Sequence, residues 1–295
     1  MTQDVRNNVS KKKKNSEGNV LERNAGEGSF VGFEKKYASS EELVEWLRHL
    51  HAYKYAERFA KGNFVLDLGC GTGYGINELS TGARGTVGID IWRKGLRYCH
   101  LEYGARNSFL AASGSSLPFK DGSFSLVVSF QVIEHIPKNA LILYLREIKR
   151  VLKNDGVFIV ATPNKRLRLL PFQKPWNPDH TKEYNAEALE KLLKATFKKV
   201  EILGLFATKD AYIVEYKRVK QTPLIVYVLN PLSSIAVSIL PNYVIMILRR
   251  FMANKRTTMK EHDSGIMNLN FSSKDFQTSE ENLENCIDIY GICTM

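Results

Sequence analysis

The sequence predicts an α/β domain built on a seven-stranded, mostly parallel sheet with helices on both faces and an antiparallel last strand. Three observations carry that prediction. Short, nearly continuous apolar runs recur along the chain (FVLDL, GTVGID, SLVVSF, GVFIVA), and such strands belong to a sheet covered on both faces. Segments with apolar residues at helical spacing separate them, which is the strand–helix alternation of a parallel sheet. A final run, NCIDIYGIC, alternates well enough to be a strand and is expected at the sheet edge, antiparallel to the strand at 199–205.

Taken in order, residues 1–38 are expected to be a disordered, basic lead. Asn, Ser, Gly and charged residues dominate it, with lysine at 11–14, and such a composition buries too little apolar surface to fold. No apolar stretch follows the lysines, so no secretory signal is read there. Ser40 is expected to cap a helix with Glu41 and Glu42 in its first turn and Leu43, Trp46, Leu47, Leu50 and Tyr53 at helical spacing, ending near Ala60. Strands are then expected at 64–68, 85–90, 108–111, 125–130, 156–161 and 199–205. Helices are expected after the first two strands, at 139–152 and at 186–196.

Residues 39–295 are read as one domain, with 207–276 an apolar helical insertion ahead of the last strand. No charged residue stands between Lys220 and Arg249, a length that meets the roughly 20 residues a membrane span needs. Pro231 and Pro241 interrupt it, and a single crossing would place strands of one sheet on opposite sides of a bilayer. Residues 222–252 are therefore expected either to cap the site or to lie at a membrane interface with basic flanks.

The 44% hydrophobic and 25% charged fractions exclude a largely disordered, collagen-like or polytopic membrane chain. A net charge of +11 points to an anionic partner: phosphate, nucleic acid or a lipid surface. Residues 145–220 hold 17 basic and 9 acidic side chains. Lys165, Arg166, Arg168 and Lys174 among them suit a phosphate on the substrate. Cys70, Cys99, Cys286 and Cys293 are scattered without a CxxC pair, which signals neither a zinc site nor a disulfide framework and fits the reducing cytoplasm. No His/Asp/Glu group has ligand spacing, so no metal is expected.

Residues 65–75 read VLDLGCGTGYG. Glycines after a buried strand let the backbone approach a ligand closely and turn into a helix. The dinucleotide fingerprint G-x-G-x-x-G is not met, because Tyr74 or Ile76 stands where the third glycine belongs. No Gly-Lys-Ser/Thr follows either, which excludes a P-loop. The run resembles motif I of class I S-adenosylmethionine-dependent methyltransferases, whose sheet is Rossmann-like. That resemblance implies Asp67 near the cofactor's amino group, with Gly69, Gly71 and Gly73 making room for its methionine and ribose. It implies Asp90 on both ribose hydroxyls, a diol that suits the two acceptor oxygens of a carboxylate. Ser113 stands where such proteins commonly have an acid on the adenine amine; its hydroxyl, the backbone of Gly114, and Gln131 complete the expected cofactor set.

Residues 117–124, LPFKDGSF, followed by SLVVSF and QVIEHI, are similar to the type 11 methyltransferase group, relatives of quinone-biosynthesis enzymes. His51 and Tyr55 match a His-x-x-x-Tyr pattern on the helix before motif I in similar proteins. ATPN at 161–164 and NPDHTKEY at 177–184 resemble methyltransferases of glycan, lipid and small-metabolite biosynthesis. Enzymes that methylate adenine or glutamine nitrogen usually carry Asn/Asp-Pro-Pro-aromatic after the fourth strand. Phe130-Gln131-Val132-Ile133 stands there instead, which disfavours that chemistry.

The resemblance implies O-methylation of a small-molecule, glycan or lipid-linked acceptor by in-line transfer from S-adenosylmethionine. A protein or RNA methyltransferase, or a nucleotide-binding scaffold without catalysis, stands as the alternative; no nucleic-acid-binding module is visible. A hydroxyl acceptor must lose a proton, and His135 and His180, just beyond the fourth and fifth strands, are the expected bases. Glu134 is expected to orient His135 or the acceptor. His49, His100 and His262 have no such placement.

Overall fold

The near-continuous apolar runs do form buried strands. In this computed structural model, which describes residues 39–169, 175, 177, 179–224 and 271–295, the strands are β1 (Phe64–Leu68), β2 (Gly85–Asp90), β3 (Ser108–Ala111), β4 (Phe124–Phe130), β5 (Leu152–Pro163), β6 (Lys199–Ala207), β7 (Phe276–Ser279) and β8 (Asp288–Thr294). Helices are α1 (Ser40–Ala60), α2 (Tyr74–Ser80), α3 (Arg93–Tyr103), α4 (Leu141–Val151), α5 (Lys165–Arg168), α6 (Ala186–Lys194) and α7 (Lys209–Leu224). The cap of α1 is Ser39, whose Oγ accepts from the Glu42 N–H at 3.3 Å, and Ser40 is already helical.

The sheet order is β3-β2-β1-β4-β5-β8-β6-β7. β1 to β5 pair in parallel, and β8 runs antiparallel to both β5 and β6. The expected antiparallel partnership of β8 with β6 is therefore present, but β8 is not at the edge. It is buried on both faces: Tyr290 and Ile292 pack in one core, Ile289 and Cys293 in the other. The edge is taken by an eighth strand, β7, which pairs antiparallel with β6. Its four residues, FQTS, carry no apolar run to announce them.

Alternation along the strands divides the core into two layers. Val65, Val128, Ile159 and Leu205 face α1, with Val44, Leu47 and Ala56, and α7, with Ala211 and Val214. Leu66, Leu68, Val127 and Val160 face α4 and α6. Helix α4 supplies Leu141, Tyr144, Leu145, Ile148 and Val151, a single helical stripe. The four cysteines are buried free thiols.

A buried ion network joins α1, α7 and β8. Arg48 Nη1 lies 3.0 Å from Asp288 Oδ1 and 3.4 Å from Glu215 Oε1, with all three side chains at most 2% exposed. Arg218 reaches Glu215 at 2.7 Å and Glu45 at 3.2 Å. Burial favours neutral carboxyls, but Arg218 and Arg48 outweigh it at Glu215 and hold its pKa at about 2. At Asp288 burial prevails over Arg48, and the pKa stands at about 6.

Residues 1–38 and 225–270, including Pro231, Pro241 and nearly all of the 222–252 stretch, lie outside the described residues. Helix α7 opens the predicted insertion. Among the described residues, no helix is long and apolar enough to cross a membrane.

Removing Arg48 strands the buried Asp288, while Glu215 keeps Arg218, and stranding a buried carboxylate costs about 3–5 kcal/mol. Arg48→Met should lose that much stability in urea denaturation at pH 7.5. It should lose less at pH 5, where Asp288 is protonated and needs no counter-charge.

Candidate functional site

Strand order reverses between β1 and β4, so the connections leaving their carboxyl ends diverge and open a crevice. A cavity of about 720 Å³ occupies it. Its walls come from the loop after β1, the end of β2, residues 112–115 after β3 and residues 130–132 after β4. His49 and Tyr53 of α1 face it from one side, and His135 and Ile136 from another.

The first wall depends on glycine. Gly69, Gly71 and Gly73 have φ of 80°, 55° and 78°, backbone that disfavours a side chain. A Cβ at Gly69 would collide with the Val132 side chain, and one at Gly73 would lie 2.9 Å from Cys99 Sγ. The Gly71 N–H donates to Asp90 Oδ2 at 2.9 Å, and the Trp92 N–H donates to Asp90 Oδ1 at 2.8 Å. Both oxygens of Asp90 are thus aimed by backbone at the cavity rim, and each retains a second acceptor lone pair.

Asp67 is fully buried behind this wall. Strand alternation turns it to the same face as Val65, toward α1, where the Tyr53 hydroxyl donates to Oδ2 at 3.1 Å. Tyr53 is held edge-on by Tyr74 at 5.6 Å and Phe130 at 4.8 Å, and its ring lies against Gly75, where no Cβ fits. Among the described residues Asp67 Oδ1 has no hydrogen-bond partner. Burial raises the Asp67 pKa to about 7, against the pull of the Tyr53 hydrogen bond.

Ser113 and Gly114 line the cavity, Ser113 with its Oγ accepting the Ser115 N–H at 3.3 Å. Gln131 lines it in a left-handed conformation, φ 57°. Its N–H donates to the Ala161 carbonyl at 2.8 Å, and its side chain hydrogen-bonds Asp288.

Of the two predicted bases, His135 stands in the cavity wall and His180 packs behind it, the rings 4.7 Å apart and nearly perpendicular. His135 Nδ1 donates to the Asp179 carbonyl at 3.0 Å. A carbonyl only accepts, so in the neutral ring Nε2 carries the lone pair. His180 Nδ1 is 2.9 Å from Glu183 Oε1. Glu134 is 1% exposed and accepts from the Thr162 hydroxyl at 3.0 Å. Its pKa is raised by burial to about 7, with His180 opposing. The Thr181 and Lys182 N–H groups both donate to the Glu134 carbonyl, at 2.8 and 3.2 Å. Those two bonds bring the 177–184 motif onto the QVIEHI motif, and Glu134, His135 and His180 form a group with ligand-type atoms within 4.8 Å of one another. The grouping is made by chain docking and has no counterpart in sequence spacing.

Other placements differ from expectation. His49, expected away from the site, lines the cavity; its Nε2 is 3.2 Å from the Arg48 guanidinium, and burial pushes its pKa well down. His51 instead points to the Tyr290 hydroxyl at 3.3 Å, and Tyr55 packs on the Tyr290 ring. The cavity face of α1 is thus the i, i+4 pair His49 and Tyr53. Among the described residues, the basic run does not charge the cavity. Arg168 is buried against Glu183 at 3.2 Å, Arg166 pairs with Glu187 and Glu284, and Lys165 is not in the wall. Lys174 lies outside the described residues. Asn164 at the end of β5 is structural: its Nδ2 donates to the carbonyls of Leu283, Glu284 and Cys286.

Residues 66–160 match a family described as a methyltransferase domain. A probable S-adenosylmethionine-dependent methyltransferase of Mycolicibacterium smegmatis is 37% identical over 57% of this chain and 64% of its own length. Another of the same description, from Mycobacterium tuberculosis, is 37% identical over 54% of this chain and 57% of its own. A fatty-acid O-methyltransferase of M. smegmatis is 27% identical over 44% and 47%. The match thus spans less than two thirds of these relatives. Residues 66–160 are similar to the methyltransferase-domain family of the type 11 group, in keeping with the class I resemblance of the glycine loop. The cofactor of that class is S-adenosylmethionine, and the residues present fit it: Asp90 offers two acceptor oxygens at the cavity rim to a diol, and the glycine loop leaves room no side chain could.

Because folding raises the Asp67 pKa from 3.8 to about 7, the folded state holds a proton that the unfolded state releases. The wild-type chain should therefore lose stability relative to Asp67→Asn as pH rises from 4 to 7, by roughly 4 kcal/mol in all, and the difference should flatten above pH 7. Urea denaturation across that range measures it.

Proposed function

We propose that the chain transfers the methyl group of S-adenosylmethionine to a hydroxyl of a small-molecule, glycan or lipid-linked acceptor. The observation that carries the reading is the cradle itself. A backbone-pinned Asp90 and the left-handed Gly69 and Gly71 line one crevice, with Gly73 and the partnerless buried oxygen of Asp67 directly behind its wall. Asp67 receives the amino group, Gly69, Gly71 and Gly73 admit the methionine and ribose, and Asp90 takes the ribose hydroxyls. Ser113, Gly114 and Gln131 flank the base. The cofactor brings a methyl carbon already bonded to a cationic sulfur, so it supplies its own leaving group. What the chain supplies is alignment, worth roughly 7–11 kcal/mol in favourable cases.

His135, which lines the cavity, receives the acceptor's proton when no cation is bound there, since its Asp179 bond leaves Nε2 as the basic nitrogen of the ring. Val132, Ile136 and Pro137 beside it suit an acceptor with an apolar portion. The fatty-acid O-methyltransferase relative supports the same acceptor class.

Methyl transfer from radiolabelled cofactor into a fractionated lysate tests the reading. Label is expected in a lipid or glycan fraction and absent with Asp90→Ala, which should also bind S-adenosylhomocysteine at least tenfold more weakly by calorimetry. Label in protein or RNA would overturn the acceptor class, and no binding of the product by the wild-type chain would overturn the activity. His135→Gln should cut transfer about 10²–10⁴-fold with product binding unchanged.

A further inference from the structure

We propose that Glu134, His135 and His180 bind a first-row divalent cation against the inner wall of the cavity. One ligand atom from each lies within 4.8 Å of the others. Donors about 2.0–2.2 Å from a common ion stand some 3–3.5 Å apart, so side-chain adjustments of about 1 Å close the set.

The second layer of contacts is already that of a metal site. A ligating imidazole holds its remote N–H on a carboxylate or carbonyl, which fixes the tautomer and the ring orientation. Here both rings do so: His135 Nδ1 on the Asp179 carbonyl at 3.0 Å, and His180 Nδ1 on Glu183 at 2.9 Å. Glu183 is itself anchored by Arg168 at 3.2 Å, and Glu134 accepts from Thr162. With both Nδ1 atoms donating outward, the two Nε2 atoms carry lone pairs and the carboxylate is an acceptor.

Two imidazoles and one carboxylate select a transition ion over magnesium or calcium, and they leave coordination positions open. Through His135 those positions border the cavity. An acceptor offering oxygen atoms there, a hydroxyl beside a carboxylate or a second hydroxyl, would be held by the cation. Its bound hydroxyl would release its proton to water more readily, in place of proton uptake by His135 Nε2. That use rests on the methyl-transfer reading; the cation site does not.

The test uses the untagged full chain after chelator treatment. Mn²⁺ binding is followed by electron paramagnetic resonance and Zn²⁺ binding by calorimetry, with S-adenosylhomocysteine titrated in parallel. One ion per chain is expected, together with a higher Tm on adding Mn²⁺. His135→Ala and His180→Ala should each bind at least tenfold more weakly, and His180→Ala should keep product affinity within twofold. Absence of saturable binding of both ions by the wild-type chain, or unchanged ion affinity in both variants, overturns the proposal while leaving the product titration to judge the activity. Ion binding without product binding supports the site and overturns the methyl-transfer reading. Where either alanine variant lacks a cooperative melt, the wild-type Tm response decides, and no rise overturns the site.

Discussion

A carboxylate at the end of a strand buried on both faces is the constraint around which this molecule is arranged. Asp67 cannot reach water, and strand alternation commits it to the α1 side of the sheet. One oxygen is satisfied by the Tyr53 hydroxyl. To deliver that hydroxyl, α1 must lie against α2, and the ring then occupies the space where residue 75 would need a Cβ. The position of α1, the glycine at 75 and the edge-on packing of Tyr74 and Phe130 follow from the need to partner one buried acid. The second oxygen has no partner among the described residues, at a cost of the order of 1–3 kcal/mol for a buried polar group.

A second buried set of charges reaches the same cavity from behind. Arg48 follows the turn of α1 that presents His49 and is paired with Asp288 at the start of β8. Asp288 is also bonded by Gln131, the left-handed residue that ends β4 at the cavity wall. A left-handed non-glycine residue costs of the order of 1–3 kcal/mol and persists only where surroundings over-determine it. Here the Ala161 carbonyl holds its N–H and Asp288 its side chain. Because β8 sits between β5 and β6, Asp288 lies within the sheet, close to the crevice; an edge strand would have carried it away.

What was legible in the sequence tracks which groups do the positioning. The cofactor side is made by backbone, and glycines at 69, 71 and 73 are visible because only glycine tolerates those angles and contacts. Asp90 was visible because a strand end and a glycine loop locate it together. The place of β8 is not legible because its alternation reads equally well as an edge strand, and only double-sided burial of Ile289 to Cys293 makes it central. β7 was missed because FQTS carries no period at all. His49 was missed because a helix presents i and i+4, and Tyr53, not Tyr55, sets the cavity face.

The acceptor side is made by side chains that meet through loop docking, and such meetings leave little trace in spacing. Glu134 and His180 come together because two N–H groups of residues 181 and 182 find the Glu134 carbonyl. Nothing in the composition of either motif demands that bond. Charge was a poor guide for the same reason. The basic run near residue 166 reads as an anion site, yet Arg166 and Arg168 are spent on Glu187, Glu284 and Glu183. Paired arginines offer little field to a ligand, and Glu134, His135 and His180 owe their meeting to backbone bonds between loops, which net charge does not report.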